Sequence, residues 1–130
     1  MTAALLAAIL ARLPAQPRPL LVALDGPSGA GKSTLAGQAV AALAAAGVSA
    51  VHVPLDDFFA AEIPDPCWDA FTFAERLARV FDWARVRACA LEPLLAGRPA
   101  RWHAFDFASG LRADGTSGRL AKAEERAPAA

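Results

Sequence analysis

Apolar positions through residues 1–13 recur at helical spacing, with Leu6, Ile9, Leu10 and Leu13 in line, and predict a surface helix rich in Ala and Leu. Pro14, Pro17 and Pro19 then make a stiff connector, because proline fixes φ and has no backbone N–H. Residues 20–24 are an unbroken apolar run closed by Asp25 and Gly26, the pattern of a strand covered on both faces in a parallel sheet. Glycines 26, 29 and 31 follow closely, and from Ser33 the period turns helical again, with Leu35, Ala39, Ala42, Leu43 and Ala46 on one face and Gly47 placed as a left-handed cap.

A second strand is predicted over 48–55, where Val51 and Val53 are branched and Pro54 ends regular pairing. Asp56 and Asp57 fall at its carboxyl end, the side on which open α/β sheets bind ligands. Residues 60–66 read as loop. Helices are expected over 72–81 and 83–95, the second with Trp83, Val86, Ala90 and Leu94 on one side, Gly97 at its end and Pro93 bending or fraying its last turn. Residues 101–107 alternate, Trp102, Ala104 and Asp106 against His103, Phe105 and Phe107, as in a half-buried strand. Beyond Gly110 periodicity is lost. The expected organisation is a helix and connector over 1–19, one domain over 20–110, and a mobile tail over 111–130.

A chain of 130 residues suits a single domain, and 55% hydrophobic against 20% charged residues, with mean hydropathy +0.32, excludes a disordered composition. Much of the apolar share is alanine, so the core is thinner than the percentage suggests. Thirteen basic residues balance thirteen acidic ones, which argues against a polymeric nucleic acid partner. The N-terminal segment has no basic residue ahead of its apolar stretch and is too short to span a bilayer, so a cytoplasmic protein with no membrane partner is expected. Cys67 and Cys89 have no ligand spacing and read as small buried hydrophobes.

Gly26-Pro27-Ser28-Gly29-Ala30-Gly31-Lys32-Ser33 fits the pattern G-x-x-x-x-G-K-[ST], the P-loop or Walker A motif. Glycines let such a loop curl with its N–H groups inward, and the helix that follows adds its positive end. Lys32 can reach the β- and γ-phosphates, the Ser33 hydroxyl can ligate Mg²⁺, and Thr34 can hydrogen-bond the α-phosphate. The cofactors expected are therefore ATP and Mg²⁺. The motif does not by itself separate a kinase from an ATPase or a GTP switch. Asp56 is the candidate that decides, as general base toward a substrate hydroxyl or as a Mg²⁺ ligand. The bland alternative, stronger for Asp57, is a solvated loop acid.

The run Asp25 to Thr34, then Leu55-Asp56-Asp57-Phe58-Phe59, Phe81-Asp82-Trp83, Pro93-Leu94-Leu95-Ala96-Gly97 and Phe105-Asp106-Phe107 resembles the uridine kinase and phosphoribulokinase family of P-loop kinases over residues 20–110. The resemblance implies an α/β fold, the three-layer P-loop NTPase sandwich around a parallel sheet, and transfer of the ATP γ-phosphoryl group to a hydroxyl of a small molecule, a uridine- or cytidine-like nucleoside being the first guess. It also implies that Asp56 accepts the proton of that hydroxyl and lies near Mg²⁺, and that Phe105, Asp106 and Phe107 line the acceptor pocket. Phe59 and Phe105 stand where those nucleoside kinases carry tyrosine, and Gly110 where a base-contacting histidine is expected. The family continues with an apolar strand ending in an acid and Gly and with an arginine-bearing lid, so the chain reads as an N-terminal portion or truncated homologue. Such a chain is expected to bind Mg-ATP weakly, not to turn over, and to self-associate through open sheet edges. The alternatives are a nucleotide-binding or interaction module without turnover, and a P-loop ATPase.

His52 and His103 have no partner at ligand spacing and read as structural. Arg76, Arg79, Arg85, Arg87, Arg98 and Arg101 outnumber Glu75, Asp82 and Glu92, and solvated helix faces are the simplest account of them. Trp68, Trp83 and Trp102 read as core or pocket-edge rings.

Overall fold

A computed structural model of the chain describes residues 2–15, 19–60, 63, 65–105 and 124–126. They fall into two compact units, one of Met1–His52, Pro93–Pro99 and Arg126–Ala130, the other of Val53–Glu92 and Ala100–Glu125. Among the described residues, no helix is long and apolar enough to cross a membrane.

In the first unit, helix α1 (Thr2–Arg12) packs on helix α2 (Lys32–Ala45). Ala and Leu dominate α1 and favour it intrinsically, and the Arg12 guanidinium donates to the Ala8 carbonyl in the last turn, where a cation suits the helix dipole. Ile9 of α1 and Ala36, Ala39 and Leu43 of α2 are the buried side chains, the last three at helical spacing on one face. The Thr2 hydroxyl donates to Gln38 Oε1 at 3.0 Å. Gly47, at φ 78°, ends α2 as expected: its N–H reaches the Ala44 carbonyl at 3.0 Å and Val48 N–H the Leu43 carbonyl at 2.8 Å, a Schellman motif.

The run 20–24 does not form the predicted buried strand: Leu21 and Val22 are 58% and 42% exposed. A strand persists only when its amides and carbonyls find a ladder, and among the described residues no segment pairs with this one. The same holds of the strand expected over 48–55, where 48–54 carry no regular element and Leu55–Phe58 is instead a single tight 3₁₀ turn.

The second unit is built on Phe58, which is fully buried, together with Val86, Ala90, Ala100 and Trp102. The Phe58 and Trp102 rings lie 5.4 Å apart, and the Arg85 guanidinium sits over the Phe58 ring, 5.3 Å from its centroid. A short helix α3 (Asp65–Ala70) begins inside the segment expected to be loop, with Pro66 in its first turn, where a missing N–H costs nothing. Helix α4 (Phe73–Arg79) is fixed by a reciprocal capping box: Glu75 N–H donates to the Thr72 hydroxyl and Thr72 N–H to the Glu75 carboxylate. An antiparallel bridge joins Phe59 to Phe81, with Ala60 N–H on the Val80 carbonyl at 3.0 Å and Asp82 N–H on the Phe58 carbonyl at 2.7 Å.

Helix α5 (Trp83–Arg85) starts under an Asp82 cap and is followed directly by a wide π-helical stretch, Val86–Leu91, and by helix α6 (Glu92–Leu95). Glu92 N–H reaches back five residues to the Arg87 carbonyl. Pro93 lacks the N–H that the Cys89 carbonyl would accept in a regular α-helix, so the turn before it widens rather than frays. Val86 and Ala90 are buried as the helical spacing predicts, while Trp83 is half exposed. Of the strand expected over 101–107, only Arg101 and Trp102 fall in the short strand β1 (Ala100–Trp102), buried at both ends and exposed at Arg101; residues 103 and 104 carry no regular element, and 106 and 107 lie outside the described residues. Strand β1 pairs with β2 (Glu124–Arg126), an element within the stretch that carries no sequence periodicity. The rest of the 111–130 segment lies outside the described residues.

Both cysteines are free, Cys89 half-buried and Cys67 exposed rather than buried. Gly37, inside α2 with open space around it, and the α4 cap test the account of the helices in opposite directions. Gly37→Ala should raise stability by roughly 0.5–1 kcal/mol through lost chain entropy, and Thr72→Ala should lower it by about 1 kcal/mol through the lost cap. Urea midpoints at unchanged slope would measure both.

Candidate functional site

Residues 26–31 form an exposed loop that hands directly into α2. Gly29 and Gly31 have φ of 77° and 86°, a left-handed conformation that L side chains avoid. A Cβ at either would meet nothing within 4 Å, so backbone conformation rather than crowding explains the glycines. Ala30 N–H closes a turn onto the Pro27 carbonyl at 3.2 Å, and Gly26 N–H is taken by Asp25 Oδ1 at 2.8 Å.

The helix begins at Lys32 behind a left-handed Gly31 with no side-chain cap and no acid in its first turn. Its leading N–H groups, which by helix geometry have no intrahelical acceptor, therefore face solvent with the positive end of the helix dipole behind them. Lys32 folds back along the loop, its Nζ donating to the Gly26 carbonyl at 2.7 Å and the Pro27 carbonyl at 2.8 Å. The ammonium is thus held over the start of the loop. Ser33 and Thr34 are exposed on the first turn. Backbone donors, two hydroxyls and one cation at a helix start are groups that can hydrogen-bond an anion.

Asp56 lies in the second unit, exposed on the 3₁₀ turn Leu55–Phe58. Asp57, expected to be a solvated loop acid, is instead half-buried and bound. Its Oδ2 accepts the Trp102 indole Nε1–H at 2.9 Å, and its backbone carbonyl accepts Phe105 N–H at 2.7 Å. Phe105 is half-buried and meets Phe59 edge-on at 5.5 Å. Phe59 is stacked on Phe81 at 5.1 Å, and Phe81 meets Trp83 at 5.5 Å. Asp106 and Phe107, the other expected pocket residues, lie outside the described residues.

Residues 26–34 thus lie in one unit, and Asp56 and Phe105 both lie in the other, where Phe105 N–H bonds to Asp57, the neighbour of Asp56. The Asp57–Trp102 bond joins residues far apart in the sequence. Its only sequence trace is the alternation that turns Trp102 inward, since 45 residues separate the partners. Several arginines expected on solvated faces are also engaged: Arg76 donates to the Trp68 carbonyl, Arg79 lies over the Phe71 ring at 5.0 Å, and Arg85 donates to the His103 carbonyl. Among the described residues, no group of three or more His, Cys, Asp or Glu side chains is placed to hold a metal ion.

Comparison with protein-family models, with curated proteins and with solved structures finds no match to this chain. The functional reading therefore stands on the residues themselves.

Because Gly31 has open space around it and a left-handed φ, Gly31→Ala isolates the cost of that conformation. It should lower stability by roughly 1–2 kcal/mol, as measured by chemical denaturation, and should weaken any anion binding at the loop.

Proposed function

We propose that residues 26–34 bind the phosphates of ATP, with Mg²⁺, and that the chain is of the kind that passes the γ-phosphoryl group to a hydroxyl of a small molecule, a nucleoside first, in the cytoplasm. The single observation that carries this reading is the loop: two left-handed glycines, an uncapped helix start and the Lys32 ammonium converge within nine residues. Backbone donors there can take phosphate oxygens. Lys32 can exchange its two carbonyl acceptors for the more basic phosphate oxygens, a charge-assisted contact.

The donor set fits such a ligand. Nothing acidic crowds the first turn of α2, and Ser33 offers a hydroxyl to a metal whose other ligands would be phosphate oxygens and water. Bound Mg²⁺ would supply charge neutralisation on the phosphates. Asp56 is the residue proposed to orient the acceptor hydroxyl and take its proton, because it is the exposed acid of its turn while Asp57 is engaged. The same reading proposes an α/β P-loop domain, with Phe105, Asp106 and Phe107 as the wall of the acceptor pocket.

Lys32→Ala should weaken Mg-ATP binding by roughly 1.5–3 kcal/mol, about tenfold or more, while Asp56→Asn should leave ATP affinity within a few-fold. Calorimetry on the two variants beside the wild type checks both. Equal ATP affinity in wild type and Lys32→Ala would remove the phosphate-binding reading.

A further inference from the structure

We infer that Asp57 is a positioning residue: tethered to Trp102, it fixes the turn that turns Asp56 outward. The inference rests on the reading of Asp56 given above. Three residues complete one turn of a 3₁₀ helix, so consecutive side chains leave it roughly 120° apart. Neighbouring acids on such a turn cannot share a direction. In Leu55–Phe58 the directions are divided: Phe58 is fully buried, Asp57 is half-buried against Trp102, and Asp56 is exposed.

The turn is held from several sides. Asp57 N–H closes it onto the Pro54 carbonyl at 3.1 Å, and the Asp57 carbonyl takes Phe105 N–H at 2.7 Å. The Asp57 carboxylate takes the Trp102 indole N–H at 2.9 Å, and the Phe58 carbonyl takes Asp82 N–H at 2.7 Å. Trp102 is itself buried on β1 and packed on Phe58, so the carboxylate is anchored to a ring that the core holds still. Asp82 also caps α5 through Arg85 N–H, which links the turn to the start of that helix. A base or metal ligand must be accessible and must not wander. Asp56 has the access, and its neighbour supplies the fixity.

This role needs a hydrogen-bond acceptor at position 57, not a charge. Asparagine keeps an acceptor oxygen for the indole N–H, whereas leucine keeps the size and removes that acceptor. The test uses the full chain labelled with ¹⁵N, as wild type, Asp57→Asn, Asp57→Leu and Trp102→Phe. Trp102→Phe assigns the indole signal of Trp102 by its loss. That signal should shift in Asp57→Leu and stay near its wild-type position in Asp57→Asn. The amides of residues 55–59 should move in Asp57→Leu and Trp102→Phe, and not in Asp57→Asn. An indole signal indifferent to Asp57→Leu, or an Asp57→Asn spectrum as disturbed as that of Asp57→Leu, would overturn the proposal. Adding Mg-ATP to the same samples reads the amides of 26–34 separately: their failure to respond would count against the phosphate-binding reading and leave the tether decided by the signals at 55–59.

Discussion

The left-handed backbone at Gly29 and Gly31 is the constraint from which the proposed chemistry follows. It lets the chain leave one turn, closed by Ala30 on Pro27, and enter α2 with no side chain covering the first amides. A β-carbon at Gly31 would meet no atom, yet the conformation would still be costly, so the restriction is set by local backbone sterics. Lys32 then does two things at once. As the first residue of α2 it opens the helix, and through Nζ it binds the carbonyls at the start of the loop, so that the loop's two ends are joined by a cation.

A different interaction organises the second unit. Phe58 is buried under Trp102 and Arg85, and the hydrogen bonds of its neighbours run outward from it to 54, 80, 82, 102 and 105. Segments distant in sequence meet there because one ring needs cover on every side. The polar groups brought along are satisfied by each other, as burial demands. Asp57 belongs to this framework, and Asp56, one residue earlier, does not.

Local features were the ones legible in the sequence. The helices α1 and α2, the cap at Gly47, the inward faces of Val86 and Ala90, and the outward Arg101 and inward Trp102 of β1 depend on spacing within a few residues. The loop at 26–33 is equally local, since its glycines and lysine act on their own backbone. What the sequence could not convey depends on partners. Residues 20–24 have the composition of a buried strand, but strand formation requires a neighbour, and Leu21 and Val22 stand exposed among the described residues. The widened turn before Pro93 and the helix beginning at Asp65 arise from compromises between proline and local bonding that a simple breaker rule misses. Asp57 read as solvent-facing because nothing nearby in sequence announces Trp102.

The central claim is that the 26–34 loop grips a chain of phosphates rather than a base or sugar. Calorimetric titration of the full chain with Mg-ATP, ADP and AMP under identical conditions tests it most directly. The account predicts that ATP binds, that affinity falls as the γ- and β-phosphates are removed, and that AMP gives no measurable heat. AMP binding as tightly as ATP, or no binding of any of the three, would contradict it.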